Sequence, residues 1–74
     1  MDAVSSTRQP VTGLTARERK ILVLIASGHG NAEIARAIGC SQHTVKNTIY
    51  DLMSRLRLRN RVHAAAYAVR EGLV

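Results

Sequence analysis

The residues best equipped for chemistry lie between Asn31 and Arg57, and they are hydrogen-bond donors and cations rather than catalysts. Lys46, Asn47 and Tyr50 fall on one side of a helix, with His43 one turn earlier and Ser54 and Arg57 further on. A lysine ammonium can donate to guanine O6 and N7, and a carboxamide can pair bidentately with adenine N6 and N7. Tyr50 is suited to a sugar or a thymine methyl. The plainer role for Lys46 is a phosphate contact, which positions without specifying. Ser41, His43 and Thr44 begin the same helix, where free amides and hydroxyls can hold phosphate. Ser41 serves first as a cap. Asn31 is expected to act as N-cap of the preceding helix and to add a phosphate contact. Arg55 and Arg57, with Arg59 beside them, read as phosphate-directed charge rather than as base readers.

Other chemistries find little material. No Ser/His/Asp arrangement or paired carboxylate is present, because the five acids are spread through helix starts and surfaces. That argues against an enzyme, and no cofactor is implied. Cys40 and His43 make half of a zinc site, and His29 and His63 stand at no supporting spacing. Cys40 is better read as a small apolar residue at a helix joint. A single cysteine forms no internal disulfide and fits a reducing, cytoplasmic setting. No apolar h-region follows Met1, and no segment is long enough to span a bilayer.

The elements that position these residues are helices. Ile34, Ala35 and Ile38 form the stripe of a short helix. Gly39 ends it, where a left-handed residue turns the chain without a Cβ clash. Ser41 opens the next helix as N-cap, and Val45, Ile49, Leu52, Met53 and Leu56 give it one continuous apolar face. A short helix, a tight joint and a second helix with a basic outer face describe a helix-turn-helix. Ala35 suits the steep crossing that such a joint requires.

Upstream, Thr15-Ala-Arg-Glu18 reads as a capping box that starts a first helix, running to about Ser27 and burying Ile21, Leu22, Leu24 and Ile25. Gly28 and Gly30 flank His29 at its end. Downstream, the helix opened by Ser41 runs to about Arg57. Asn60 caps a fourth, from Arg61 to Glu71, closed by Gly72. This last helix is apolar on two sides. Ala64, Ala65 and Ala68 are expected to pack on the bundle. Val62, Ala66, Val69 and Leu73 form a second stripe, rimmed by His63 and Arg70, which reads as a two-fold interface. Residues 1–12 are polar and non-periodic, with Pro10 among them, and read as an arm or linker. Residues 13–74 are one domain.

With 74 residues and no Trp or Phe, apolar volume must come from Ile, Leu, Val and Ala, which suits helix–helix packing. The formal net charge is +6 and the pI about 10.8, the range of nucleic-acid-binding domains. Between Ser41 and Arg61, Lys46, Arg55, Arg57, Arg59 and Arg61 face one acid, Asp51. An anionic membrane would also attract that charge, but the basic helix lacks the bulky residues of an interfacial anchor.

Taken together, LTARE, LIASGHGNAEIA, the S-x-x-TVKN run, the L-x-x-L-R-L-R-N-R junction and the closing AVREGLV resemble the LuxR-type (GerE-type) DNA-binding domain. The resemblance covers Leu14 to Val74. It implies an all-α, four-helix bundle of the tetrahelical LuxR type, with the third helix in the major groove of duplex DNA. It also implies a weak homodimer through the fourth helix, in a bacterial transcription regulator. Lys46, Asn47 and Tyr50 match the family's base-reading positions. Thr48 stands where the family usually has His, which shifts the expected phosphate contacts toward Thr44 and His43. A rival expectation is a protein-interaction module of the same fold, contacting RNA polymerase or another regulator. The chain reads equally as a single-domain regulator and as the output domain of a longer response regulator.

Overall fold

A computed structural model describes residues 13–74, so the arm read in residues 1–12 lies outside the described residues. Four helices follow one another: α1 (Ala16–Ala26), α2 (Asn31–Ile38), α3 (Gln42–Leu56) and α4 (Arg61–Arg70). No strand occurs among the described residues, and the all-α, four-helix expectation holds.

Each start has an identifiable cap. Before α1, the Thr15 amide donates to Glu18 Oε1 and the Glu18 amide donates to Thr15 Oγ1, both at 3.0 Å. Two orphan amides are thus satisfied reciprocally, and an acid sits at the positive end of the helix dipole. Before α3, Ser41 Oγ accepts from the Thr44 amide at 3.1 Å. Before α4, Asn60 Oδ1 accepts from the His63 amide at 2.8 Å, and His63 Nδ1 accepts from the Arg59 amide at 3.1 Å.

The start of α2 differs from expectation. Gly30, not Asn31, is the N-cap, and Asn31 is the first helical residue. The reason is the acid three residues beyond Gly30: Glu33 Oε1 accepts from the Gly30 amide at 3.1 Å, closing the turn one residue earlier. The asparagine carboxamide is left free for a distant partner. Glu33 also meets His29 Nδ1 at 3.2 Å. Chiefly the Gly30 amide, and then His29, hold its carboxyl below the ordinary 4.5.

The joint between α2 and α3 is built as expected. Gly39 has φ 73°, and its amide and that of Cys40 both reach Ala35 O, at 2.9 and 3.0 Å. Cys40 is half-buried and packs against the core. The end of α3 is less usual. Arg57 occupies the left-handed region (φ 58°, ψ 43°), the one non-glycine residue with positive φ among those described. The Leu58 amide then bonds Met53 O at 2.8 Å, and Leu58 itself is buried. That backward bond with an apolar anchor behind it is a Schellman-type closure, in which glycine is the usual left-handed residue.

The core draws on every helix. Ile21, Leu22, Ile34, Val45 and Leu52 are fully enclosed, and Ala64 and Ala68 let α4 approach closely. α1 packs most extensively on α4, and α2 on α3. Leu24, Met53, Leu56 and Ala65, expected inside, are half-buried at its margin. Leu14, Leu58 and Tyr67 join it unannounced. The helical spacing of Ala64, Tyr67 and Ala68 (i, i+3, i+4) carried that signal for Tyr67. Its hydroxyl is enclosed without a hydrogen-bond partner among the described residues.

Candidate nucleic-acid interface

α3 presents two opposed faces. Val45, Ile49 and Leu52 are buried, and they pin the helix to the bundle. His43, Lys46, Asn47, Tyr50, Ser54 and Arg57 are all exposed on the remainder. Tyr50 is 75 % exposed, the largest side chain on a face with no packing role for it. A fifteen-residue helix is about 22 Å long. It fits the major groove of B-DNA, about 12 Å wide and 8.5 Å deep.

The hydrogen bonds on this face leave a specific set of groups free. The Asn47 amide nitrogen lies 3.1 Å from His43 Nε2, so Nδ2 donates and the ring nitrogen accepts. One further N–H and the carbonyl oxygen of Asn47 remain, the pair that a bidentate contact to adenine uses. His43, accepting at Nε2, carries its proton on Nδ1 and keeps that donor for another partner. Ser41 Oγ donates to Thr44 Oγ1 at 3.1 Å while accepting the Thr44 amide. The Ser41 hydrogen is therefore spent inside the cap, and the Thr44 hydroxyl hydrogen is the one available.

The arginines separate. Arg57 is exposed, as is Arg59. Arg55 is committed within the protein: its Nη2 pairs with Glu18 Oε2, and its Nε donates to Asp51 Oδ2 at 3.2 Å. Glu18 thus uses one oxygen for the capping box and the other to tie α1 to α3. Arg61 is also engaged, donating from Nη1 to Asn31 Oδ1 at 2.9 Å and from Nη2 to His29 O at 2.8 Å. The Arg55–Asp51 contact is local, four residues along α3, but the attachments to Glu18, Asn31 and His29 span 30 residues or more, beyond the reach of any local pattern.

On α4, Val62 and Val69 are 79 % and 63 % exposed, and Ala66 is exposed between them. Leu73, the fourth member of that stripe, is half-buried and packs against the domain's own core. Val74 is a further exposed apolar side chain near the same end. Among the described residues, no three His, Cys, Asp or Glu side chains gather as a metal site would need. No helix there is long and apolar enough to cross a membrane.

Comparison with known proteins agrees with this geometry. The family model described as "Bacterial regulatory proteins, luxR family" matches residues 12–68. The response regulator protein VraR of Staphylococcus aureus (strain Mu3 / ATCC 700698) is 41% identical over 61 residues, covering 82% of this chain and 29% of that protein. The VraR proteins of Staphylococcus saprophyticus and Staphylococcus epidermidis match with the same figures. The chain spans less than a third of the length of these curated relatives. No solved structure matches it.

Proposed function

The chain belongs to the luxR family of bacterial regulatory proteins, and we propose that it binds duplex DNA sequence-specifically, with α3 in the major groove, to regulate transcription. The observation that carries this reading is the divided surface of α3. One side is buried against the bundle, and the other offers Lys46, Asn47 and Tyr50 to solvent, with one N–H and the carbonyl oxygen of Asn47 still unused beyond its bond to His43. Lys46 and Asn47 read bases, and Tyr50 adds contact to a sugar or a thymine methyl. Thr44, His43 and Arg57 hold phosphates, with Asn31 at the start of α2 and a lesser share for Ser41. Arg55 supplies diffuse attraction, because its guanidinium is occupied by Glu18 and Asp51.

Two domains pair through Val62, Ala66 and Val69 on α4, so the preferred site has two related halves. Apolar side chains this exposed on a helix of a basic domain are better explained by a partner than by the core. The pairing is weak, since a single ten-residue helix presents little area. A regulator of this kind works on the chromosome in the cytoplasm.

Selection of bound sites from random duplex DNA tests the reading, followed by affinity measurements on the selected site and a scrambled one. Asn47→Ala and Lys46→Ala should each cost about 1–3 kcal/mol on the selected site and relax preference at one or two positions. With roughly four phosphates neutralised per domain, log K should fall with log salt at a slope of about −4. A slope near zero, or no enrichment of any sequence, overturns a DNA-centred function and leaves the protein-interaction reading, with RNA polymerase among its partners.

A further inference from the structure

Arg61 sits at the first position of α4 and is half-buried, beside Asn31 and not itself among the contacts to DNA in the reading above. Its guanidinium spans two acceptors on the chain entering α2: the carboxamide oxygen of Asn31 at 2.9 Å and the main-chain carbonyl of His29 at 2.8 Å. We infer that Arg61 is a positioning residue for DNA binding: it fixes the Asn31 carboxamide with its NH2 group turned outward, as a donor for a phosphate oxygen. The inference rests on the DNA-binding function proposed above.

The chemistry of the two side chains sets the orientation. Arginine carries only donors, so the Asn31 atom facing it must be the oxygen. The nitrogen, with both of its hydrogens, then points away from Arg61. A free asparagine at this point would present either end, and the oxygen end repels a phosphate. Because Asn31 is the first helical residue and not the cap, its carboxamide makes no hydrogen bond to the α2 backbone that would hold it. Arg61 alone supplies that constraint among the described residues. The second bond, to His29 O, braces the loop between α1 and α2, so the helix start and its side chain are held together. The fork shape of the guanidinium is what allows both bonds at once, and an ammonium does not reproduce it.

Arg61→Lys separates this role from the others. Lysine keeps the charge but not the two-acceptor geometry. Affinity for the selected duplex is measured by titration for the parent, Arg61→Lys, Asn31→Ala and the double variant. The measurements are made well below each variant's Tm, with folding checked by circular dichroism. The expected result is that each single variant binds about 5- to 10-fold more weakly. The double variant is then no weaker than either single one, because the Asn31 contact is already lost. The salt slope should stay at the parental value in all three variants, because none of them removes a cation and the Asn31 carboxamide is neutral. A slope that fell by about one would mean that a charged phosphate contact was lost instead, and would overturn the positioning role. Parental affinity for Arg61→Lys would show that Arg61 acts only as a charge, and would overturn the inference. Losses that multiply in the double variant would make the two residues independent, with the same consequence. If the parent itself binds no duplex, the DNA-binding function fails, and the positioning role fails with it.

Discussion

Arg57 offers a perturbation in which the backbone and the binding surface respond separately. It holds φ 58° and ψ 43° at the end of α3, with its side chain exposed and without a hydrogen bond to any described residue. An L-residue in that region carries about 1–2 kcal/mol of strain that glycine does not. Glycine gives back about 0.5–1 kcal/mol through its greater freedom in the unfolded chain. Comparing Arg57→Gly with Arg57→Ala cancels the loss of the charge and of its interaction with the helix dipole, since both variants lose these. What remains is the backbone difference, about 0 to 1.5 kcal/mol in favour of glycine. In a domain of this size, 1 kcal/mol moves Tm by about 4–8 °C. The sign is the test, because in an exposed helix interior alanine is the more stable by about 1 kcal/mol.

Binding should not follow stability. If Arg57 meets a phosphate, both variants weaken duplex binding alike, on preferred and scrambled sequences, and reduce the salt slope by about one. Thermal unfolding by circular dichroism and duplex titration across a salt series supply the two readouts. If alanine is the more stable at 57, the left-handed strain is not present in solution. An unchanged salt slope would remove Arg57 from the phosphate contacts.

Val69→Asp should leave the domain folded, since the side chain is 63 % exposed, while abolishing cooperative binding to paired half-sites. Unfolding of that variant would return Val69 to the core, and retained cooperativity would move the pairing surface elsewhere. Tyr67→Phe removes a hydroxyl enclosed without a partner among the described residues, so denaturant unfolding should show a change between none and about 1 kcal/mol of stabilisation. A loss beyond 1 kcal/mol would reveal a partner for that hydroxyl. Glu33 titrates below its ordinary 4.5 when folded, so its contribution is present above that value and is lost as pH falls through the lower, folded pKa. Glu33→Gln should therefore flatten the decline of stability in acid below about pH 4.5, and an unchanged decline would mean that the Gly30 bond contributes nothing.

What could be read from the sequence divides along the range of the interaction. Thr15 with Glu18, Ser41 with Thr44 and Asn60 with His63 are contacts three residues apart, so residue type and spacing carry nearly all of the information. The Gly39 joint and the buried face of α3 are equally local, the second being a periodicity summed over four turns. Asn31 shows where such reasoning fails. Asparagine is a good cap by type, but Glu33 stands three residues from Gly30 and completes the turn there. Two local rules competed, and a partner thirty residues away took the side chain left over. No pattern within α2 could have shown that.

The stretch Arg55-Leu-Arg-Leu-Arg-Asn-Arg61 carries the same lesson into function. Its four arginines look like one basic patch, because at the level of composition each is the same positive charge. Folding gives three of them different surroundings. Arg55, on the last turn of α3, meets Glu18 thirty-seven residues away and becomes a strut between helices. Arg57 takes the left-handed turn and stays in solvent. Arg61 starts α4 and reaches back to the loop before α2. The alternation with Leu56 and Leu58 is what separates them, since burying Leu58 forces the chain to reverse at Arg57. A count of cations therefore overstates the charge free to meet a polyanion, and the salt slope of binding should reflect Arg57 and Lys46 far more than Arg55.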